Sequence, residues 1–227
     1  MAEQQNNFIH ACSYNKLEDA KRIMAEGKVH VDRPVYGTQA LLVACEKGHM
    51  EVVKWLVTEC KADLTSVDWR GRTALHLTCR SGKLDVIKWL VTECKMDPHL
   101  PDKYRRTPLI YACIDGHLEV ARWLVENPKT DIYTTDDEGC TLLHYACKEF
   151  ELEVARWLIS ECGADPNCPD IHGDTPLHFA CGNDHAEMVK LLVNEGKGNL
   201  NQENKAGKTP RNLAKVKVAE WLLANCK

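Results

Sequence analysis

Residues 107–125 read TPLIYACIDGHLEVARWLV and carry the signals of two short helices in succession. Thr107 is a good N-cap, and Pro108 suits the first helical position, where a missing N–H costs nothing. Apolar residues then recur at helical spacing until Gly116, a residue type that commonly ends helices. A second apolar stripe runs from Leu118 to Val125 and predicts a second helix of the same length.

This helix pair is one copy of a unit that recurs along the chain. Self-similarity at a fixed period is the signature of a repeat architecture. The period is 34 residues in three columns, which share a cysteine, a tryptophan and a glycine: Cys45, Cys79, Cys113, Cys147 and Cys181; Trp55, Trp89, Trp123 and Trp157; Gly37, Gly71, Gly139, Gly173 and Gly207. Cys12 precedes Cys45 by 33 residues, and Arg105 occupies the missing place in the glycine column.

The unit resembles the ankyrin repeat. The matching segments are Thr73-Ala74-Leu75-His76, Thr107-Pro108-Leu109, Thr141-Leu142-Leu143-His144 and Thr175-Pro176-Leu177-His178, with the turns Gly48-His49 and Gly116-His117 and the exit Gly163-Ala164-Asp165-Pro166-Asn167. The resemblance covers residues 8–227. It implies an all-α repeat solenoid, an L-shaped stack of antiparallel helix pairs with β-turn fingers projecting from one side.

The resemblance also implies the domain organisation, a single ankyrin-repeat domain over residues 1–227. We assign residues 1–7 to a polar tail and 8–33 to an N-terminal cap that lacks a finger. Five full repeats follow, at residues 34–67, 68–101, 102–135, 136–169 and 170–203. Residues 204–227 are a shortened C-terminal cap, because Trp221 follows Thr209 by 12 residues, whereas Trp123 follows Thr107 by 16.

Composition and charge exclude several other classes of protein. Hydrophobic residues make up 44% and charged residues 27%, which is typical of globular proteins and not of disordered or fibrous chains. The net charge of −4 argues against a chain that is basic throughout, and no apolar run is long enough to span a bilayer. The polar N-terminus lacks a secretory signal, so twelve cysteines predict reduced thiols in an intracellular protein of the cytoplasm or nucleus.

No cluster of residues predicts catalysis, a cofactor or a metal. The repeat explains the cysteine column as small buried residues and the recurrent histidines as structural groups near the helix starts. The best metal set, Cys140, His144 and Cys147, is weak because Cys140 precedes the helix and Cys147 belongs to the buried column. Ala206-Gly207-Lys208-Thr209 resembles the end of a phosphate-binding loop but lacks its earlier glycine. We therefore expect a protein that is not an enzyme and that needs no cofactor.

In the family, the finger tips and the outward residues of the first helix line a concave groove. We number each finger by the repeat that it opens. At the positions that match the family's motif, fingers three and four carry basic and aromatic residues, whereas the fifth finger is acidic. The predicted partner-binding residues are Tyr36, Lys47, Trp69, Arg70, Arg72, Arg80, Lys103, Tyr104, Arg105, Arg106, Ile114, Asp137, Glu138, Ile171 and His172. We expect Trp69 and Tyr104 to face outward, because they occupy outward positions of the family's motif. Trp, Tyr and Arg are also the residue types enriched at interface hot spots, which favours partner binding over ordinary solvated loops.

The resulting hypothesis is a non-catalytic, monomeric protein–protein interaction scaffold. Its partner would be an acidic or mixed-charge protein segment with an apolar anchor, and no membrane is involved. The alternative is binding of nucleic acid or another polyanion through the same patch, with bases stacking on the two rings. The net negative charge and the acidic fifth finger count against this alternative.

Three further expectations concern packing and strain. The tryptophan column should pack between repeats, although a binding face of exposed indoles is the other interpretation. Arg105 occupies a glycine slot and should therefore have a positive φ, which costs a non-glycine residue about 1–2 kcal/mol. Phe150 and Glu151 replace the Gly-His pair of repeats two and four, so Phe150 either adopts the same strained conformation or ends its helix differently.

Overall fold

A computed structural model describes residues 2–225, which form fourteen α-helices arranged along the chain as pairs joined by short turns. The pairs are α1 (Ala2–Ser13) with α2 (Leu17–Ala25), α3 (Ala40–Lys47) with α4 (Met50–Thr58), α5 (Ala74–Arg80) with α6 (Leu84–Thr92), α7 (Pro108–Ile114) with α8 (Leu118–Glu126), α9 (Leu142–Glu149) with α10 (Leu152–Ser160), α11 (Pro176–Gly182) with α12 (Ala186–Asn194), and α13 (Pro210–Leu213) with α14 (Val216–Asn225). None of these helices is long and apolar enough to cross a membrane.

The described residues fall into two compact units, one extending to Tyr111 and the other beginning at Ala112. In the first unit α3 packs against α1, α5 and its own partner α4. In the second unit α11 packs against both α9 and α13, while α12 packs against α10 and α14. First helices thus pack on first helices in both units, and in the second unit second helices also pack on second helices. This arrangement confirms the predicted all-α ankyrin-type repeat fold within each unit.

The cysteine column lies in the core, as the sequence predicts. Its six members are fully buried: Cys12, Cys45, Cys79, Cys113, Cys147 and Cys181. Burial disfavours a charged thiolate and raises the pKa of Cys12 and of Cys181 to about 12. These side chains therefore act as small apolar residues that stay protonated at neutral pH.

The tryptophan column also serves packing. Trp55 and Trp157 are buried, and Trp89 and Trp123 are half-buried. Trp55 makes an edge-to-face contact with Phe8 of the N-terminal cap, with ring centroids 6.3 Å apart. The alternative of a binding face formed by exposed indoles is therefore wrong.

A recurrent histidine joins each first helix to the finger of the next repeat. The N–H of Thr73 donates to His76 Nδ1 at 3.1 Å, and His76 Nε2 lies 3.1 Å from the carbonyl oxygen of Arg106. A carbonyl can only accept, so Nε2 carries the proton and Nδ1 is free to cap the helix. Burial lowers the pKa of His76, which favours this neutral ring. His144 and His178 repeat the arrangement, which confirms their structural role.

The structure corrects the assignment of a polar tail at residues 1–7. Helix α1 begins at Ala2, so residues 2–7 form its first turns, while Met1 lies outside the described residues. Gln5 is buried there. Its amide donates to the carbonyl oxygens of His30 and Arg33 at 2.8 and 3.1 Å and accepts the N–H of His30 at 2.9 Å. This polar side chain is satisfied by a distant loop, which its local sequence could not reveal.

Phe150 ends α9 in the strained conformation, which is the first of the two alternatives that the sequence left open. Its φ is 65° and its ψ is 35°, in the left-handed region where Gly48 ends α3. The ring is partly exposed and contacts the His185 ring, with centroids 4.6 Å apart. Repeat five therefore joins its two helices through a residue that opposes the required backbone conformation.

We predict that Phe150→Gly is more stable than Phe150→Ala by about 1 kcal/mol. Both variants lose the ring contact, so their difference isolates the cost of a Cβ at positive φ. Urea unfolding of the two variants measures this difference. Inside a regular helix glycine is the less stable residue by about 1 kcal/mol, so that result would contradict the strain at this position. In the wild type we expect hydrogen exchange at residues 147–153 to be faster than at 113–119.

Candidate partner-binding surface

Each finger from the third to the sixth is organised by an aspartate at its start. The Asp68 Oδ1 atom accepts the N–H groups of Arg70 and Arg72, both at 2.9 Å, and the Asp68 backbone pairs with Gly71 and Arg72. The carboxylate thus holds the turn in one conformation, and the two residues after it point outward. Asp102, Asp136 and Asp170 make the same pair of bonds in their fingers.

Finger two is built differently because Pro34 replaces the aspartate. Val35 and Thr38 exchange two backbone hydrogen bonds of 2.9 Å around a two-residue turn. Tyr36 and Gly37 both have positive φ, at 50° and 77°, as the tight turn that suits a hairpin requires. Asparagine and glycine are the usual residues of such turns, yet the Tyr36 side chain is 100% exposed. A large ring at a strained, solvent-exposed position gains nothing from internal packing.

Fingers three and four are bonded to each other. The N–H of Lys103 donates to the carbonyl oxygen of Arg70 at 3.0 Å, and Lys103 Nζ donates to that of Trp69 at 2.9 Å. A Cβ on Gly71 would lie 3.0 Å from Lys103 Cγ, so this close approach needs glycine. The two fingers therefore present their tips as one surface with fixed spacing.

Two aromatic rings on this surface carry stacked arginines. Trp69 is 65% exposed, and the Arg70 guanidinium carbon lies 4.5 Å from its ring centroid. Tyr104 is 38% exposed, with the Arg106 guanidinium carbon 5.4 Å from its centroid. Stacking of this kind orders flexible arginines and leaves their N–H groups at the ring margin. We call Trp69, Arg70, Lys103, Tyr104 and Arg105 the finger patch.

Arg72 does not belong to this patch, which corrects the expectation from sequence. It is only 9% exposed, and its Nε and Nη2 atoms both lie 2.7 Å from Asp68 Oδ2. Its guanidinium carbon also lies 5.8 Å from the Tyr111 ring, whose hydroxyl donates to Asp102 Oδ2 at 2.8 Å. Arg72 therefore ties finger three to the body of its unit, and its charge is neutralised internally.

The remaining predicted residues are distributed over the two units. In the first unit Lys47, Arg80 and Arg105 are exposed, and Arg106 is half-buried. In the second unit the exposed residues are Asp137, Glu138, Ile171 and His172, while Ile114 is half-buried. Arg105 has a φ of 59°, which confirms the strain expected in its glycine slot. A cleft of about 170 Å³ beside Tyr36 and Trp69 also includes Glu46, which the predicted set omits.

The structure offers no geometry for the metal set of Cys140, His144 and Cys147. Both nitrogens of His144 are used, because Nδ1 accepts from Thr141 and Nε2 donates to the Asp174 carbonyl. Among the described residues, Asp136, Glu138 and Cys140 are the group whose ligand atoms lie close together. The Asp136 carboxylate is already bonded to two finger N–H groups and to the Tyr145 hydroxyl. This cluster is therefore explained by the finger turn.

Comparison with known proteins agrees with this architecture. A profile described as ankyrin repeats (3 copies) matches residues 8–102, 92–170 and 152–227. The chain therefore belongs to the ankyrin-repeat family. Among solved structures, the ankyrin repeat domain of human ASB11 is 28% identical, with 96% of each chain covered and a TM-score of 0.77.

The ankyrin repeat domain of Bcl-3, a member of the IkappaB protein family, is 23% identical. The match covers 96% of this chain and 98% of that one, with a TM-score of 0.70. At this identity the likeness shows the fold alone. A comparison with curated protein sequences found no match.

We predict opposite roles for the two arginines of finger three. Arg72→Ala should lower the free energy of unfolding by about 2 kcal/mol, because it leaves a buried Asp68 oxygen without its cation. Arg70→Ala should lower it by about 0.5 kcal/mol, the loss of a cation–π contact made by a half-buried arginine. Denaturant unfolding of both variants checks this contrast. Equal losses would mean that Arg72 is not a structural tie.

We also predict that Arg105→Gly raises the free energy of unfolding by about 1 kcal/mol, since glycine adopts positive φ without a Cβ penalty. Arg105→Ala, which keeps the penalty and removes the charge, is the matched control and should not be stabilised. Thermal unfolding of the three proteins decides the matter. A glycine variant no more stable than the alanine variant would refute the strain argument.

Proposed function

We propose that this chain is a non-catalytic scaffold that binds a segment of another protein on the finger patch and the adjoining groove. Ankyrin repeats are in general modules for protein–protein interaction. The observation that carries the proposal is Trp69, whose ring stays 65% exposed on a finger held by hydrogen bonds. A large ring presented on a rigid support binds with little loss of conformational entropy.

The charge of the finger patch favours an acidic or mixed-charge partner. Arg70, Lys103 and Arg105 contribute positive charge. The aspartates of the same fingers are occupied, because Asp68 pairs with Arg72 and Asp102 accepts the Tyr111 hydroxyl and two N–H groups. A carboxylate of the partner would therefore meet, beside an apolar ring, cations that form no ion pair within residues 2–225. An acidic residue next to an apolar anchor fits this surface best.

We predict that a random dodecapeptide library selected on the wild-type protein yields sequences that combine Asp or Glu with an apolar residue. Trp69→Ala should weaken binding of the selected peptides by about 30-fold, as expected for a hot-spot residue worth about 2 kcal/mol. Arg70→Ala should weaken it by about fivefold or less, because exposed ion pairs contribute little. Fluorescence anisotropy with labelled peptides measures these changes.

Tyr133→Ala is the matched control, since Tyr133 is an exposed aromatic residue of the other unit. Its effect on peptide affinity should be negligible. Peptides that bind Trp69→Ala as tightly as the wild type, or that lack acidic residues, would overturn the proposal. Oligothymidylate tests the nucleic-acid alternative: tight binding with a steep dependence on salt concentration would favour that function instead.

A further inference from the structure

Fingers two and three border a small cleft that shares only Trp69 with the finger patch. Its volume is about 170 Å³, and Tyr36 and Trp69 both line it. The apolar side chains of Leu42, Val43 and Leu77, from α3 and α5, also line it. Arg70, which stacks on Trp69, is not part of this lining. The cleft is thus a recess beside the basic patch that combines aromatic and apolar side chains with polar and charged ones.

The charges inside the cleft sum to a negative value. Asp68 and Arg72 line it but neutralise each other through the 2.7 Å ion pair. Glu46 remains: it is half-buried, and among the described residues no ion pair or hydrogen bond involves its side chain. It also lies in the last turn of α3, where the helix dipole makes a carboxylate unfavourable and a cation favourable.

The geometry points to a cationic side chain, lysine or arginine, as the occupant of this cleft. The aliphatic stem of such a side chain matches the apolar lining, and its head would meet Glu46 and the faces of two aromatic rings. An acidic side chain would be repelled by Glu46. A purely apolar one would leave that carboxylate desolvated without a partner.

The strain at Tyr36 is an independent sign that this recess has a use. The residue holds a positive φ of 50° with a fully exposed ring, at a turn position that asparagine or glycine would fill at less cost. Strain retained at an exposed aromatic residue is accounted for if the ring covers a bound side chain.

This inference rests on the proposed function in assigning the cation to the partner segment. That segment would then be of mixed charge, with a basic residue in the cleft and an acidic residue against Arg70 and Lys103. The acid alone cannot set the direction of the segment, whereas a basic and an acidic contact at two different places can.

A titration with a small probe tests the cleft without any partner protein. The probe is Nα-acetyl-lysine methylamide, followed through the indole N–H signal of Trp69, which comparison with Trp69→Phe assigns. We expect saturable, weak binding that Glu46→Gln lowers by about fivefold or more. Tyr36→Asn should lower it by about threefold while leaving the fold intact, since the Tyr36 side chain is fully exposed.

Glu149→Gln is the matched control, because Glu149 is an exposed carboxylate at the end of α9 in the other unit. Probe affinity should be unchanged in this variant. The neutral norleucine and acidic glutamate analogues should not saturate the Trp69 signal. Equal binding of either analogue, or unchanged binding to Glu46→Gln, would overturn the inference.

The two proposals fail separately in these experiments. If selected peptides depend on Trp69 but the lysine probe does not titrate its signal, the cation site is refuted and the scaffold stands. If the probe binds as expected while no peptide is selected, the cation site is supported and the scaffold proposal fails.

Discussion

A neutral histidine ring that makes two hydrogen bonds holds neighbouring repeats in register. In repeats three, five and six the histidine near the start of the first helix accepts from the preceding threonine N–H and donates to a carbonyl of the next finger. Only the neutral ring can do both, and burial lowers the pKa of His76 and His144, which favours that form in these two. Helix start and neighbouring finger are therefore positioned by one side chain. The last repeat keeps the local half of this arrangement with an amide, since Asn212 Oδ1 accepts from the Thr209 N–H.

The charge that each finger presents to solvent depends on these anchoring hydrogen bonds. Once a finger is anchored, its aspartate is occupied by backbone N–H groups and, in fingers three and four, by Arg72 or the Tyr111 hydroxyl. A protein of net charge −4 thus presents a basic surface locally, because the finger aspartates already bind the backbone N–H groups of their own turns. The cations that remain flank Trp69 and Tyr104. Electrostatic complementarity in this chain is set by which charges are used internally and not by their overall number.

The nine described non-glycine residues with left-handed backbone include Tyr36 and Arg105 on finger tips and Phe150 at the end of α9, and all three are exposed. Each opposes the conformation required of it by about 1–2 kcal/mol. The other repeats have glycine at the place of Arg105, whereas Asp184 also adopts a positive φ, of 60°, at the place of Phe150. The cost is local, since each residue lies outside the buried cysteine and leucine core. Tyr36 and Arg105 lie on finger tips, where a side chain contacts solvent or a partner. Positive φ is not confined to the fingers, because Lys61, Lys95, Lys129 and Lys197 adopt it as well.

The sequence alone determined the architecture, because period, capping residues and apolar columns are local signals repeated in register. It also located the strain at Arg105 and Phe150, since a glycine slot filled by another residue is visible in the repeat. Only the tertiary structure decided which polar side chains are used in internal hydrogen bonds and ion pairs. Gln5 is buried because a loop 25 residues away satisfies the hydrogen bonds of its amide. Arg72 is buried away from the finger patch because it pairs with Asp68 and lies against the Tyr111 ring. The cleft likewise depends on Tyr36, Glu46 and Trp69, which are distant in sequence and meet only when two repeats stack. The position of a residue in the repeat predicts which way its side chain points. Pairing with neighbouring charges then decides whether that side chain is available to a partner.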